Sequence, residues 1–156
     1  MNADRIKNIG IGLGFLLMQV VLFRHLKIYQ VQPDLVFIFL VWYMARKDRT
    51  SALLMAAGLG FMQDALLDLW GLNMFSKTLV TFIGYNFIPK GSKKRLLIGQ
   101  VFLTILIASL LHNLIFLGLN TLIQSYSAEV FFWRHLFGNS LYTAVVASFI
   151  QLFRTN

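Results

Sequence analysis

The residue types best able to do chemistry lie in the apolar middle of the chain. The segment 58–78, GLGFMQDALLDLWGLNMFSKT, carries two carboxylates and one ammonium group. Asp64 and Asp68 are the residue types of an aspartyl hydrolase, which needs two carboxylates flanking its substrate. However, they lie one turn apart on the same predicted helix, where they are poorly placed to flank anything. We therefore predict no catalytic residue, and the carboxylates need another explanation.

Lys77 is a candidate partner for one of these carboxylates. At about 1.5 Å per residue, Asp64 lies roughly 9 Å and Lys77 roughly 8 Å below the same end of two helices joined by a tight turn. Charges buried in such apolar surroundings are expected to be paired. The matching depth predicts a buried ion pair between Asp64 and Lys77. A site for a partner helix or a ligand remains the alternative.

Two histidines are candidate metal ligands. His112 and His135 have only asparagine and aspartate near them, and their spacing matches no specific metal motif. We interpret them as hydrogen-bonded core residues and predict no metal. The chain has no cysteine, which excludes disulfides and thiolate ligands. Together with Asp34, Asn113 and Asn139, the histidines predict a polar cluster in one half of the molecule, near Arg134.

Small residues define two further faces. A nucleotide-binding glycine loop needs a preceding strand, which the run Gly10-Ile-Gly-Leu-Gly14 lacks, so we predict no bound cofactor. Gly10 and Gly14 instead favour close helix packing. Ala57 and Gly60 share one helix face with Asp64. Both faces are candidate docking surfaces for a partner's helix, and the pattern leaves open which one packs inside the bundle.

The elements that position these residues are apolar helices. Hydrophobic residues make up 58% of the 156 residues and charged residues only 13%, where a soluble domain has about a quarter. Six apolar segments approach the roughly 20 residues that span a bilayer. They are 6–23, 28–45 (interrupted by Pro33), 50–70, 72–88, 96–123 and 130–153. Because proline suits the first turn of a helix, we predict that the second helix begins near Pro33 and is short. We predict an all-α integral membrane protein with a single transmembrane domain, a six-transmembrane-helix bundle in a lipid bilayer.

The basic residues predict the orientation of this bundle. The net charge of +8 could suggest a nucleic-acid partner, but in a membrane chain the distribution of the charges carries the information. Most of the lysines and arginines fall at one set of segment ends: Arg5, Lys7, Arg46, Lys47, Arg49, Lys90, Lys93, Lys94, Arg95 and Arg154. The other set has Arg24, Lys27, Lys77 and Arg134. Cytoplasmic segments carry the excess of basic residues, so both termini are predicted to be cytoplasmic, and no nucleic acid is expected.

A short series of positions resembles a known family. A Pro-Asp pair opens the second segment, a basic loop follows, and the third segment carries Gly-x-Gly-x-x-Gln-Asp with a further glycine seven residues later. These positions are Pro33, Asp34, Gly58, Gly60, Gln63, Asp64 and Gly71. The arrangement resembles the MreD family of rod-shape-determining membrane proteins, and it supplies no catalytic residues to transfer.

The resemblance implies a fold, a location and partners. It implies a non-enzymatic scaffold of cell-wall elongation in the bacterial inner membrane. The implied partners are MreC, which spans the membrane once, together with MreB, RodZ, RodA and its transpeptidase. The implied fold is shared with the substrate-binding subunits of energy-coupling-factor transporters. The alternative function is therefore a vitamin-binding transport subunit that uses the predicted polar cluster, in the half of the molecule near Arg134, as its pocket.

Overall fold

The computed structural model describes residues 3–21, 31–90, 98–123 and 129–155, and it contains six helices in these ranges. In chain order they are α1 (Ala3–Val21), α2 (Leu35–Met44), α3 (Arg49–Leu67), α4 (Leu72–Gly84), α5 (Ile98–Ile123) and α6 (Glu129–Thr155). The prediction of an all-helical protein is confirmed. Five of the basic residues used to predict the orientation lie outside the described residues: Arg24, Lys27, Lys93, Lys94 and Arg95.

Aspartates start two of these helices. Asp34 precedes α2 and accepts the Phe37 N–H at 2.8 Å, and Asp48 precedes α3 and accepts the Ser51 N–H at 2.9 Å. Each carboxylate thus satisfies a donor that the first helical turn leaves without a partner. The hydrogen bond from the Ser51 backbone lowers the pKa of the exposed Asp48 carboxyl group below its usual value.

The turn between α3 and α4 is formed by residues with left-handed backbone. Asp68 ends α3 with φ of 54°, and its N–H donates to the Asp64 carbonyl. Gly71 precedes α4 with φ of 80°, a conformation that glycine adopts without steric cost. The tight turn expected between the third and fourth segments therefore covers residues 68–71, and α3 and α4 pack along each other.

Helix α2 is the centre of the molecule. It packs against each of the other five helices, and nearly all of its side chains are buried. Its sequence, LVFIFLVWYM, is apolar on every side, which is the pattern of a helix surrounded by protein. Around it, α1 packs on α3, α3 on α4, α4 on α5, and α5 on α6.

The helix lengths refine the six predicted spans. In the described part of the chain, three helices are long and apolar enough to cross a membrane: Arg49–Leu67, Ile98–Leu122 and Phe132–Phe153. Helix α2 has 10 residues and α4 has 13, fewer than the roughly 20 needed to cross the hydrocarbon. The second helix begins at Leu35, just after Pro33, because the extended backbone there accommodates proline and Asp34 provides the cap.

Candidate functional site

Lys77 lies at the centre of a buried ionic cluster. Its side chain is 0% exposed, and its Nζ lies 2.5 Å from Asp34 Oδ2. It also donates to Asn73 Oδ1 at 3.1 Å, one turn earlier on α4. His112 of α5 completes the cluster, with Nε2 3.4 Å from both Lys77 Nζ and Asp34 Oδ2. We call Asp34, Lys77 and His112 the ionic cluster; it joins α4 and α5 to the start of α2.

Asp34 is the residue that connects the cluster to the backbone. Its Oδ1 accepts the Phe37 N–H, which leaves Oδ2 for the ammonium of Lys77. Its own N–H donates to Thr143 Oγ1 of α6 at 3.0 Å. One residue therefore caps α2, pairs with α4 and bonds to α6.

His112 is held between aromatic rings. Its ring stacks on Phe37 at a centroid distance of 4.9 Å and an interplanar angle of 14°, and it lies 6.2 Å from the Phe116 ring. In the described part of the chain, its buried Nδ1 has no hydrogen-bond partner. A buried N–H without an acceptor is more costly than a buried lone pair, so the Nε2–H tautomer, which donates towards Asp34, is favoured.

The predicted Asp64–Lys77 ion pair is wrong, because Asp64 has other partners. Its Oδ1 accepts the Asn73 N–H at 3.0 Å and the Asn73 Nδ2–H at 2.9 Å. Its Oδ2 accepts the Met74 N–H at 2.8 Å. Gly71 has no side chain with which to cap α4, and Asp64 of the neighbouring helix provides that cap. Asn73 then links the two carboxylate systems, since its Oδ1 accepts from Lys77.

Gly60 explains how Asp64 comes so close to α4. A Cβ atom on Gly60 would lie 2.6 Å from Met74 Cα and 2.8 Å from Met74 N, so only glycine allows this approach. The candidate docking surface on α3 is therefore turned inward at Gly60, where it packs against the first turn of α4. Ala57 on the same helix is half-buried, and Gly58 is exposed with no atom within 4 Å of an added Cβ.

The three glycines of α1 separate into an inner and an outer set. Gly12 is buried, and a Cβ there would lie 2.9 Å from the Phe39 ring and 3.0 Å from Leu59 Cδ1. Gly10 and Gly14 are exposed, with nothing within 4 Å of an added Cβ. They lie on the side of α1 opposite Gly12, since two residues correspond to about 200° of helix rotation.

The remaining residues of the predicted polar cluster form smaller groups. Asn139 accepts the Gln32 N–H at 3.1 Å, and its Nδ2 lies 3.3 Å from His135 Nδ1. Asn113 donates to Ser140 Oγ at 2.8 Å between α5 and α6. Arg134 and Asp68 are exposed and lie outside these groups, whereas Gln63 and Pro33 are buried.

The sequence did not reveal several of the partners that complete these groups. Asn73, Thr143 and Gln19 were missed, although each is a polar residue in an apolar helix; Gln19 accepts the Val36 N–H at 3.0 Å. The described residues contain no group of three or more potential metal-ligating side chains. Apart from His112 Nδ1, the side-chain polar atoms of the ionic cluster contact one another or the adjoining polar groups, an arrangement that holds helices together.

Comparison with known proteins identifies the family. Comparisons with curated proteins and with solved structures each return no match. A family model described as rod shape-determining protein MreD matches residues 8–155, nearly the whole chain. That range includes the ionic cluster, Asp64 and the glycines of α1 and α3. The chain therefore belongs to the MreD family of rod shape-determining proteins.

Proposed function

We propose that this chain is a non-catalytic membrane scaffold of bacterial cell-wall elongation. Its family determines rod shape. In this proposal the chain lies in the inner membrane with both termini in the cytoplasm. It binds a single-pass MreC-like protein and joins that protein to the complex of MreB, RodZ, RodA and the RodA transpeptidase.

The self-contained polar cluster supports a scaffold over a transport subunit. A transporter of polar vitamins needs convergent polar groups that are left available for the substrate. Here the Lys77 ammonium is occupied by Asp34 and Asn73, and both Asp64 oxygens by backbone and amide N–H groups. Ligand binding would have to break these bonds first.

The observation that carries the proposal is the open glycine face of α1. Gly10 and Gly14 are one turn apart and exposed, and nothing lies within 4 Å of an added Cβ on either of them. Transmembrane helices associate where small residues let their backbones approach closely. The occupant that we propose for this face is the single transmembrane helix of the MreC-like partner.

Capture of the partner from membranes tests this docking face. Gly14→Leu is expected to reduce co-purification of the MreC-like protein at least several-fold, because the leucine side chain keeps the two backbones apart. Membrane insertion and thermal stability should stay unchanged, since the position is open. Gly58→Leu is the matched control, being an equally open glycine on α3.

Two results would contradict the proposal. If Gly14→Leu and the unchanged protein capture the partner equally, then the α1 face is not the docking surface. If cells depleted of the protein stay rod-shaped, and the purified protein retains a tightly bound vitamin, then the transport function takes the place of the scaffold.

A further inference from the structure

Three basic side chains lie over aromatic rings where α2 ends, α3 begins and α4 ends. The Arg46 guanidinium lies 4.2 Å from the centre of the Trp42 ring. That of Arg49 lies 4.4 Å from the Phe82 ring centre. The Lys90 ammonium lies 2.9 Å from the ring centre of Tyr85. Such contacts hold a cation in place while its outward N–H groups remain available.

Hydrogen bonds join these stacks into one surface. The Tyr85 hydroxyl donates to the Lys47 carbonyl at 2.8 Å, which ties the end of α4 to the turn after α2. Arg49 Nη2 donates to the Phe82 carbonyl at 3.1 Å, among the last carbonyls of α4. We call Arg46, Lys47, Arg49 and Lys90 the basic rim.

The charge of the basic rim is not neutralised within the described part of the chain. The ion pairs there involve only the ionic cluster, which lies at the other end of α2. Asp48 is the one carboxylate inside the rim sequence, and it is engaged by the Ser51 N–H as the cap of α3. Four cations and one carboxylate leave an excess of positive charge on this surface.

We propose that the basic rim binds the headgroups of anionic phospholipids. Arg46 and Lys90 are exposed and provide the principal phosphate contacts, and Lys47 is half-buried. Arg49, whose Nη2 is already bonded, holds the rim on α4.

The apolar residues beside the rim favour a lipid over a soluble polyanion. Phe87 is 81% exposed and Phe82 and Ile83 are also exposed, so apolar surface continues directly from the cations. Aromatic residues next to lysine and arginine are typical of the boundary between hydrocarbon and headgroups. A soluble anion would leave these side chains in water.

Lipid titration of the purified full-length protein in neutral detergent tests the proposal. Thermal unfolding is followed with increasing dioctanoyl-phosphatidylglycerol, and in parallel with dioctanoyl-phosphatidylcholine. We expect stabilisation by the anionic lipid only. Arg46→Gln and Lys90→Gln should each weaken its apparent affinity about fivefold, as expected for about 1 kcal/mol per cation at an anionic surface. Arg46→Lys keeps the charge and should retain most of the affinity.

One control distinguishes the basic rim from exposed cations elsewhere on the protein. A second control distinguishes the lipid from free phosphate. Arg134→Gln removes an exposed cation near the other end of the bundle, since the first half of α6 bonds to the segment before α2. It should leave the affinity unchanged. Equal stabilisation by both lipids, an equal loss in Arg134→Gln, or the same stabilisation by glycerol phosphate would each overturn the proposal.

Discussion

Lys77 takes Asp34 as its partner because Asp64 is already occupied. Both oxygens of Asp64 accept N–H groups from the first turn of α4, where the helix leaves donors without partners. Among the described residues, no backbone N–H donates to Asp34 Oδ2, so this oxygen can approach the ammonium at 2.5 Å. A fully buried ammonium needs a carboxylate that still has an oxygen available. Matching depth in the bundle does not show whether a carboxylate has one.

A double-mutant cycle measures this pairing. Lys77→Met leaves the charged Asp34 without its ammonium partner, and Asp34→Asn leaves Lys77 without its carboxylate while retaining a capping side chain. Each single variant should lower the free energy of unfolding in detergent by about 3–5 kcal/mol, and the double variant should recover part of this loss.

The corresponding cycle with Asp64 provides the comparison. Asp64→Asn weakens the cap of α4, and Asp64 meets Lys77 only through Asn73. Its coupling energy with Lys77 should therefore be smaller than that of Asp34. Strictly additive losses for Asp34 and Lys77, or a larger coupling for Asp64, would refute the assigned pair.

The α3–α4 hairpin depends on one close backbone contact. Gly60 lies against Met74, and this contact brings Asp64 within reach of the α4 N–H groups. An added side chain at Gly60 meets main-chain atoms, which cannot move aside as the end of a flexible side chain can. The capping of α4 by Asp64 therefore depends on the close contact between Gly60 and Met74.

Gly60→Leu is expected to destabilise the protein itself. The loss should reach at least the roughly 1–3 kcal/mol of an overpacked core, because the obstruction is backbone. Thermal unfolding in detergent provides the measurement. Gly58→Leu, two residues away and open, should unfold at the temperature of the unchanged protein. If both variants unfold at that temperature, then the close contact does not exist.

The orientation of the whole molecule can be tested with single cysteines, because the natural chain has none. Trp70 is 90% exposed in the turn between α3 and α4, and Lys90 is exposed after α4. The distribution of basic residues predicts that Trp70→Cys faces the periplasm and Lys90→Cys the cytoplasm. A membrane-impermeant maleimide applied to intact cells should label only the former. Labelling of Lys90→Cys from outside would reverse the orientation.

Much of the architecture was predictable because it follows from local properties. Six helices were expected and six are present in the described ranges. Long apolar runs, and the polar, proline and glycine residues that separate them, can be read locally in the sequence. The second helix begins at Leu35, close to Pro33 as expected, whereas the fourth ends at Gly84, before the predicted boundary at residue 88. Pro33 indicates the start of the second helix in the sequence, because proline is not accommodated in the interior of a helix.

The amino-acid sequence by itself determined the helical class, the family and the set of polar residues that must be satisfied inside an apolar protein. Only the tertiary structure decided which of them meet. Asp64 caps α4 and Asp34 receives Lys77, although the sequence suggested the reverse. Gly60 faces inward while Gly14 faces outward, although both belong to similar small-residue patterns. Composition and helical periodicity place a residue on a face and at a depth. The partner depends on the rotation and approach of neighbouring helices, which the packing of the whole bundle around α2 sets.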